Sequence, residues 1–327
     1  MFGKTGKNMN EVKKCIIAAN LGGISNRIKC IISMWKLGDE YNRETLLYWP
    51  LNHTCGAKFS DLFENKIEKI SKEQLENINK KDIRIYGQDC ITIRDPHEKF
   101  LVSGTWRLLL TGKEISNYPD LSKDGIDLNF SQIPEKVIQN ILIHLKKLKP
   151  LRSIEREVNN FQRKHNITNC VGVHIRRGDF ADRKTSPGKV SSDEKFIERM
   201  NELVKENYKT KFFLCTDSKE VEEKLEKIFP KRIIKFPKTS FTRTEVRATQ
   251  EGLMDLLLLS KTKHILGTYK STFTEMAWWI GECKAKVEII KDIKIEEEYF
   301  KNVKKEKRKI IPKIKRFILI LLGRKFI

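Results

Sequence analysis

Residues 171–180 read VGVHIRRGDF. With Cys170 ahead of it, the run CVGVHI (170–175), apolar but for His174, has the composition of a buried strand. It stops on Arg176, Arg177 and Asp179. Open parallel sheets take their ligands at the carboxyl ends of the strands, so this is the place to look for chemistry. Side chains alternate along an extended chain, so the two arginines cannot both point one way. One can meet a ligand while the other braces the loop. The planar, permanently charged guanidinium fork suits a diphosphate. The alternative is a surface ion-pair cluster of these arginines with Asp179 and Asp182.

The pattern continues outward from this stretch. Helix 193–207 leads to a strand FFLCT (212–216) and helix 219–229. RIIKF (232–236) is followed by helix 251–260, and HILGT (264–268) by helix 271–281. Strands alternating with helices argue for a parallel sheet covered on both faces. Asp217 ends the second strand, where it can meet a ligand or cap the next helix. Ser271 and Thr272 open the last helix, as caps or as part of an anion site. Asp255 reads as a polar residue near a helix start.

Towards the N-terminus, CIIAAN (15–20) is a short buried strand. It runs through the turn LGGISN into a helix with apolar positions 28, 31, 32 and 35. Gly22 and Gly23 supply permissive backbone there. LLYWP (46–50), IRIYG (83–87) and CITIR (90–94) are further strand candidates, with a charged helix around 64–80. A helical stretch over 134–165, interrupted at Pro150, joins this series to the second. The expected organisation is an α/β domain over 1–150, a second over 151–300, and a basic tail, 301–327.

The chain has 327 residues and a formal net charge of +22, with 65 Lys and Arg against 43 Asp and Glu. Such a charge suggests nucleic acid, an anionic membrane or an anionic substrate. Its distribution decides: the last 27 residues hold eleven Lys or Arg and one acid, nearly half the excess. Within them Ile314, Phe317, Ile318, Leu321 and Leu322 share a helical face flanked by lysines and arginines, as in an interfacial helix on an anionic leaflet. Packing on the protein itself is the alternative, and no specific nucleic-acid site is indicated. No apolar run reaches the roughly 18 residues of a membrane span, and no leader-like stretch opens the sequence. The expected location is cytoplasmic, peripheral at the inner membrane surface. The seven cysteines are scattered, odd in number and never closely spaced, which indicates reduced thiols rather than disulfides or a zinc site.

Three blocks, VGVHIRRGD, FFLCTD and DLLLLS followed by TYKS, resemble in order and spacing the motifs of the α1,6- and α1,2-fucosyltransferases, including the nodulation fucosyltransferase group. GGISNR (22–27) resembles the glycine-rich opening of those enzymes. The resemblance implies a GT-B fold, two Rossmann-like domains with parallel sheets facing a central cleft. It also implies a metal-independent, inverting transfer of L-fucose from GDP-fucose to a hydroxyl of a glycan or lipid-linked oligosaccharide. No cofactor is implied beyond the donor. Arg176 would stabilise the leaving GDP, with His174 and Arg177 beside it. Asp217, Asp255, Ser271 and Thr272 would complete the donor site, Asp255 at the guanine edge. Gly22, Gly23, Asn26 and Arg27 would line the cleft from the N-terminal domain. The glutamate that serves the α1,6 branch as a candidate base is absent from FADRKTS (180–186), leaving Asp179 and Asp182 as the nearest carboxylates. Tyr48-Trp49 and Trp106-Arg107 are aromatic groups that could stack on a sugar or fill a core. The competing reading is a non-catalytic, membrane-tethered nucleotide- or polyanion-binding protein.

Overall fold

The computed structural model describes residues 14–78, 82–86, 100–104, 107–121, 126, 133–178, 187–299 and 301. They divide into two compact units, drawn from Met1–Pro50 with Asn65–Leu148 and from Leu51–Glu64 with Lys149–Ile310.

The first unit contains β1 (Cys15–Ala18), α1 (Ile24–Tyr41), β2 (Glu44–Leu47), α2 (Lys72–Glu76), β3 (Ile83–Tyr86), β4 (Phe100–Ser103), α3 (Gly112–Asn117) and α4 (Glu135–Lys147). Its sheet is ordered β2-β1-β4-β3, with every pairing parallel. Cys15 and Ile17 on β1 pack with Leu46, Ile70 and Leu75. The charged helix expected around 64–80 shrinks to Lys72–Glu76. Ahead of it the backbone is extended beside β2: Leu47 N–H donates to the Glu68 carbonyl at 2.9 Å and Ile70 N–H to that of Leu47 at 3.1 Å. Main-chain bonding to a neighbouring strand has overridden helix propensity there. β4 was not anticipated, and CITIR lies outside the described residues. On α1, Lys36 is fully buried. Its ammonium donates to the Leu109 carbonyl at 3.1 Å and to Glu114 at 3.0 Å, so the charge is paired inside the unit.

The second unit contains α5 (Arg152–His165), β5 (Val171–Ile175), α6 (Pro187–Val190), α7 (Asp193–Glu206), β6 (Phe212–Thr216), α8 (Lys219–Ile228), β7 (Ile233–Ile234), α9 (Val246–Leu259), β8 (His264–Thr268), α10 (Thr272–Ile280) and β9 (Lys286–Ile290). The order is β7-β6-β5-β8-β9, again all parallel. The chain starts in the middle, moves out through β6 and β7, then returns to the other side of β5 with β8. The strand order therefore reverses between β5 and β8, which is where such sheets open a crevice for a ligand. Val173, Ile175, Phe212, Leu214 and Leu266 form the sheet side of the core, against Phe196 and Met200 of α7 and Leu225 of α8. The expected strand 232–236 contracts to two residues, α9 begins five residues earlier than expected, and β9 is an addition.

A segment remote in sequence belongs to this unit. Gly56 N–H donates to the Arg243 carbonyl at 2.6 Å, and Gln250 reaches the Asp61 carbonyl at 2.8 Å. A Cβ on Gly56 would lie 2.0 Å from the Thr244 carbonyl oxygen. Only glycine lets the two backbones approach this closely. Among the described residues no helix is long and apolar enough to cross a membrane. The basic tail beyond Lys301 lies outside them.

Gly56→Ala should therefore destabilise the protein by about 1–3 kcal/mol, the range for an overpacked contact. Urea unfolding of the variant checks this; an unchanged midpoint would mean the two backbones separate freely.

Candidate active site

Arg176 follows β5 directly, and its backbone N–H donates to the Thr268 hydroxyl at 3.0 Å. That hydroxyl in turn donates to the His174 carbonyl at 2.9 Å. The last residue of β8 thus fixes the exit of β5, at the point where the sheet reverses. The Arg176 guanidinium meets Asp217 Oδ2 at 2.9 Å, and both side chains are largely buried. Asp217 does more than pair one arginine. Its Oδ1 accepts the Arg177 N–H at 2.7 Å, and its Oδ2 also accepts from Arg243 at 2.9 Å. Capping of α8 falls to Ser218, whose hydroxyl accepts the Val221 N–H, so Asp217 is not the cap. Gly178 completes the turn: a Cβ there would stand 2.6 Å from Asp217 Oδ2.

Arg177 turns the other way and braces the turn. Its guanidinium donates to Asp193, to the Ser191 carbonyl at 2.9 Å and to the Arg176 carbonyl at 2.9 Å. The Ser191 hydroxyl accepts the Tyr269 N–H at 2.8 Å and donates to the Ile290 carbonyl, tying the ends of β8 and β9 to the same turn. The two arginines have separated as strand alternation requires, with Arg176 at the Asp217 carboxylate and Arg177 in the scaffold.

His174 is buried. Its Nδ1 is 2.8 Å from the Thr274 hydroxyl on α10, and its ring stacks on Phe273 with centroids 4.6 Å apart. Burial, reinforced by the charges of Arg176 and Arg177, pushes its pKa down to about 3. The imidazole is therefore neutral at physiological pH, and it joins β5 to α10.

Ser271 occupies the N-cap position of α10, yet its hydroxyl makes no capping bond. The helix start thus carries its positive end with no serine oxygen turned onto it. Thr272 begins the helix itself. Lys270 precedes it with a left-handed φ of 53°, its ammonium 4.8 Å from the Tyr299 ring centre.

Asp255 sits in the interior of α9 rather than at a helix start, buried to 3% exposure. Its Oδ2 pairs with Lys238 at 3.2 Å, while Oδ1 has no hydrogen-bond partner. Burial raises its pKa to about 6 against the pull of Lys238. Lys238 also pairs with Glu222 at 3.0 Å, and these opposite charges hold its own pKa above the usual range despite desolvation.

The glycine-rich residues belong to the other unit. Arg27, expected at the cleft, is 1% exposed. It donates to the Gly22 carbonyl at 2.7 Å and the Pro50 carbonyl at 2.9 Å, with its guanidinium 4.7 Å over the Trp49 ring. It thereby ties the turn that begins α1 to the chain after β2. Gly23 is the N-cap residue of α1, and Gly22 N–H donates to Asn20 Oδ1 at 2.7 Å. Asn26 packs its side chain on Gly22, with a buried Oδ1 that has no partner. Tyr48 is core and Trp49 is the platform for Arg27. Asp179, Asp182 and Trp106 lie outside the described residues. Among the described residues no group of three or more His, Cys, Asp or Glu side chains is arranged to hold a metal ion. Arg243, which shares Asp217 with Arg176, carries no mark in the sequence. It follows a strand of only two residues, so no strand-end pattern marks it.

The fold is that of known sugar-transferring enzymes. A crystal structure of NodZ α-1,6-fucosyltransferase, a Bradyrhizobium protein, soaked with GDP-fucose, superimposes with a TM-score of 0.51 at 14% identity. The match covers 82% of this chain and 92% of that one. A variant of Arabidopsis thaliana FUT1 in complex with GDP gives a TM-score of 0.51 at 14% identity, over 83% of this chain and 69% of that chain. No curated protein sequence matches. Two parallel Rossmann-like units of this kind define the GT-B class of glycosyltransferase. The model of glycosyl transferase family 11 matches residues 139–310, and the chain belongs to that family.

The buried neutral His174 has a consequence for acid stability. Its folded pKa lies below the ordinary 6.5, so the unfolded chain binds the extra proton and stability falls as pH drops below that value. Between pH 7.5 and 5.5 this contributes about 1.4 kcal/mol of destabilisation. His174→Gln should show a correspondingly shallower pH dependence in urea unfolding. An identical slope in both proteins would contradict a neutral His174.

Proposed function

We propose that the protein is a fucosyltransferase, transferring L-fucose from GDP-fucose to a hydroxyl of a glycan or a lipid-linked oligosaccharide. The observation that carries this reading is the position of Arg176. It stands at the β5/β8 reversal with its backbone fixed by Thr268, and the next strand end leads into a helix whose N-terminus has no serine cap. A diphosphate needs such cations and N–H donors, and it needs them most as the bond to the sugar breaks and charge gathers on the departing phosphate.

In this mechanism the acceptor hydroxyl oxygen attacks the anomeric carbon from the face opposite the diphosphate as the bond from that carbon to the β-phosphate oxygen breaks; the configuration inverts and the hydroxyl proton passes to solvent. Arg176 binds the β-phosphate and stabilises GDP as it leaves. Ser271, Thr272 and the α10 N-terminus hold the phosphate oxygens. This charge stabilisation is the work that a divalent cation does in other glycosyl transfers. Asp255, with one buried oxygen unpartnered, accepts from the N–H edge of guanine. Arg177 and His174 position the turn rather than touch the donor: the Arg177 guanidinium and His174 Nδ1 are engaged within the unit. The tail 301–327 holds the enzyme against an anionic leaflet at the cytoplasmic face, where lipid-linked acceptors would be presented. Its support is the concentration of basic and apolar residues there.

Arg176→Ala should lower the transfer rate by about 10²–10³-fold, the effect of removing one preorganised charge-stabilising donor, while circular dichroism stays that of the parent. Undiminished transfer would refute the assignment. Removing residues 302–327 should abolish co-sedimentation with phosphatidylserine vesicles at low salt and leave transfer to a soluble acceptor intact. Unchanged sedimentation would remove the membrane role.

A further inference from the structure

Two guanidinium groups share one carboxylate oxygen in this site. Arg176 and Arg243 each meet Asp217 Oδ2 at 2.9 Å. Asp217 carries one negative charge, so the three groups together retain one positive charge. Arg177 does not add to it, because Asp193 neutralises it. The Arg243 side chain remains 30% exposed. Its Nη2 makes the bond to Asp217, and its other nitrogens make no hydrogen bond to a described residue.

The loop that carries Arg243 is fixed from below. Its carbonyl accepts the Gly56 N–H at 2.6 Å and the Thr249 hydroxyl at 3.4 Å. Gly178, in the turn after Arg176, leaves the space: a Cβ there would lie 2.6 Å from Asp217 Oδ2 and 3.7 Å from Arg243 Nη2. Backbone from three separate stretches of sequence thus brings a second arginine to the first.

We propose that Arg243 is a second diphosphate-binding arginine. In this proposal Asp217 is the internal counter-ion that holds Arg176 and Arg243 side by side until the anion arrives. The inference rests on the reading of this site as one for a nucleoside diphosphate. A diphosphate carries more charge than one carboxylate and offers oxygens to two forks at once, so it can take both arginines from Asp217. The carboxylate keeps its bond to the Arg177 N–H and so stays in place. Held together by a displaceable acid, the two cations avoid repelling one another in the empty protein.

The test is calorimetric titration of the full-length protein with GDP and with GMP. The parent is compared with Arg243→Ala, Arg243→Lys and Asp217→Asn, each checked for native circular dichroism and melting temperature. Arg243→Ala should weaken GDP at least about tenfold, as for a lost charge-assisted pair. GMP should change much less, so the preference for GDP over GMP collapses. Arg243→Lys should recover part of the loss. Asp217→Asn should bind GDP at least as tightly as the parent, since the competing acid is gone and the Oδ1 acceptor remains. GDP binding by Arg243→Ala equal to the parent's, or an equal loss of GDP and GMP, would overturn the role of Arg243. Marked weakening by Asp217→Asn would overturn the counter-ion. If Arg176→Ala loses GDP and Arg243→Ala does not, only this inference fails. If the parent binds no GDP, the donor reading fails and takes the inference with it.

Discussion

The Asp217 carboxylate organises the loops at the carboxyl ends of β5 and β6 in the C-terminal unit. It stands at the end of β6 and accepts the backbone N–H of Arg177 and the guanidinium groups of Arg176 and Arg243. A largely buried carboxylate must be paired, and these three donors supply the pairing. Satisfying it fixes the turn after β5, the side chain of Arg176 and the loop before α9 at once. The remaining contacts follow from this one. Arg177 is sent to Asp193, Gly178 is required to be small, and Gly56 supports the loop from a distant part of the sequence.

The second constraint is the order of the strands. Because β5 lies in the middle of the sheet and the chain returns to its far side with β8, two loops end next to each other at the reversal. One carries Arg176 and the other leads through Lys270 to the start of α10. Thr268 joins them by accepting the Arg176 N–H and donating to the His174 carbonyl. The hydrophobic core therefore determines where the charges stand: the alternation that buries Val173 and Ile175 also sets the directions in which the two arginines leave the strand.

Much of this was legible in the sequence because it is local. VGVHI, FFLCT and HILGT are strands whose apolar runs end sharply on polar residues, and each became a strand with nearly the expected limits. The division of labour between adjacent arginines followed from alternation alone, although only the structure shows that Arg177 is the brace. What escaped was set by tertiary contact. Arg243 has no local mark and gains its meaning from Asp217. Residues 51–64 join the C-terminal unit through backbone contacts that a sequence pattern cannot display. The segment 64–71 reads as helical by composition but is captured by β2. The family resemblance places Arg27 at a cleft, whereas its guanidinium is buried against Trp49 and two carbonyls, a tertiary arrangement no local pattern displays.

If the carboxyl ends of β5 and β8 form a diphosphate site built on Arg176, bound GDP must occupy them. The most direct measurement is a crystal structure of the protein with GDP bound. The β-phosphate is expected against the Arg176 guanidinium and the N-terminus of α10, with the Arg176–Asp217 contact lengthened or broken. GDP bound elsewhere, with Arg176 still paired to Asp217 at its present distance, would contradict this assignment.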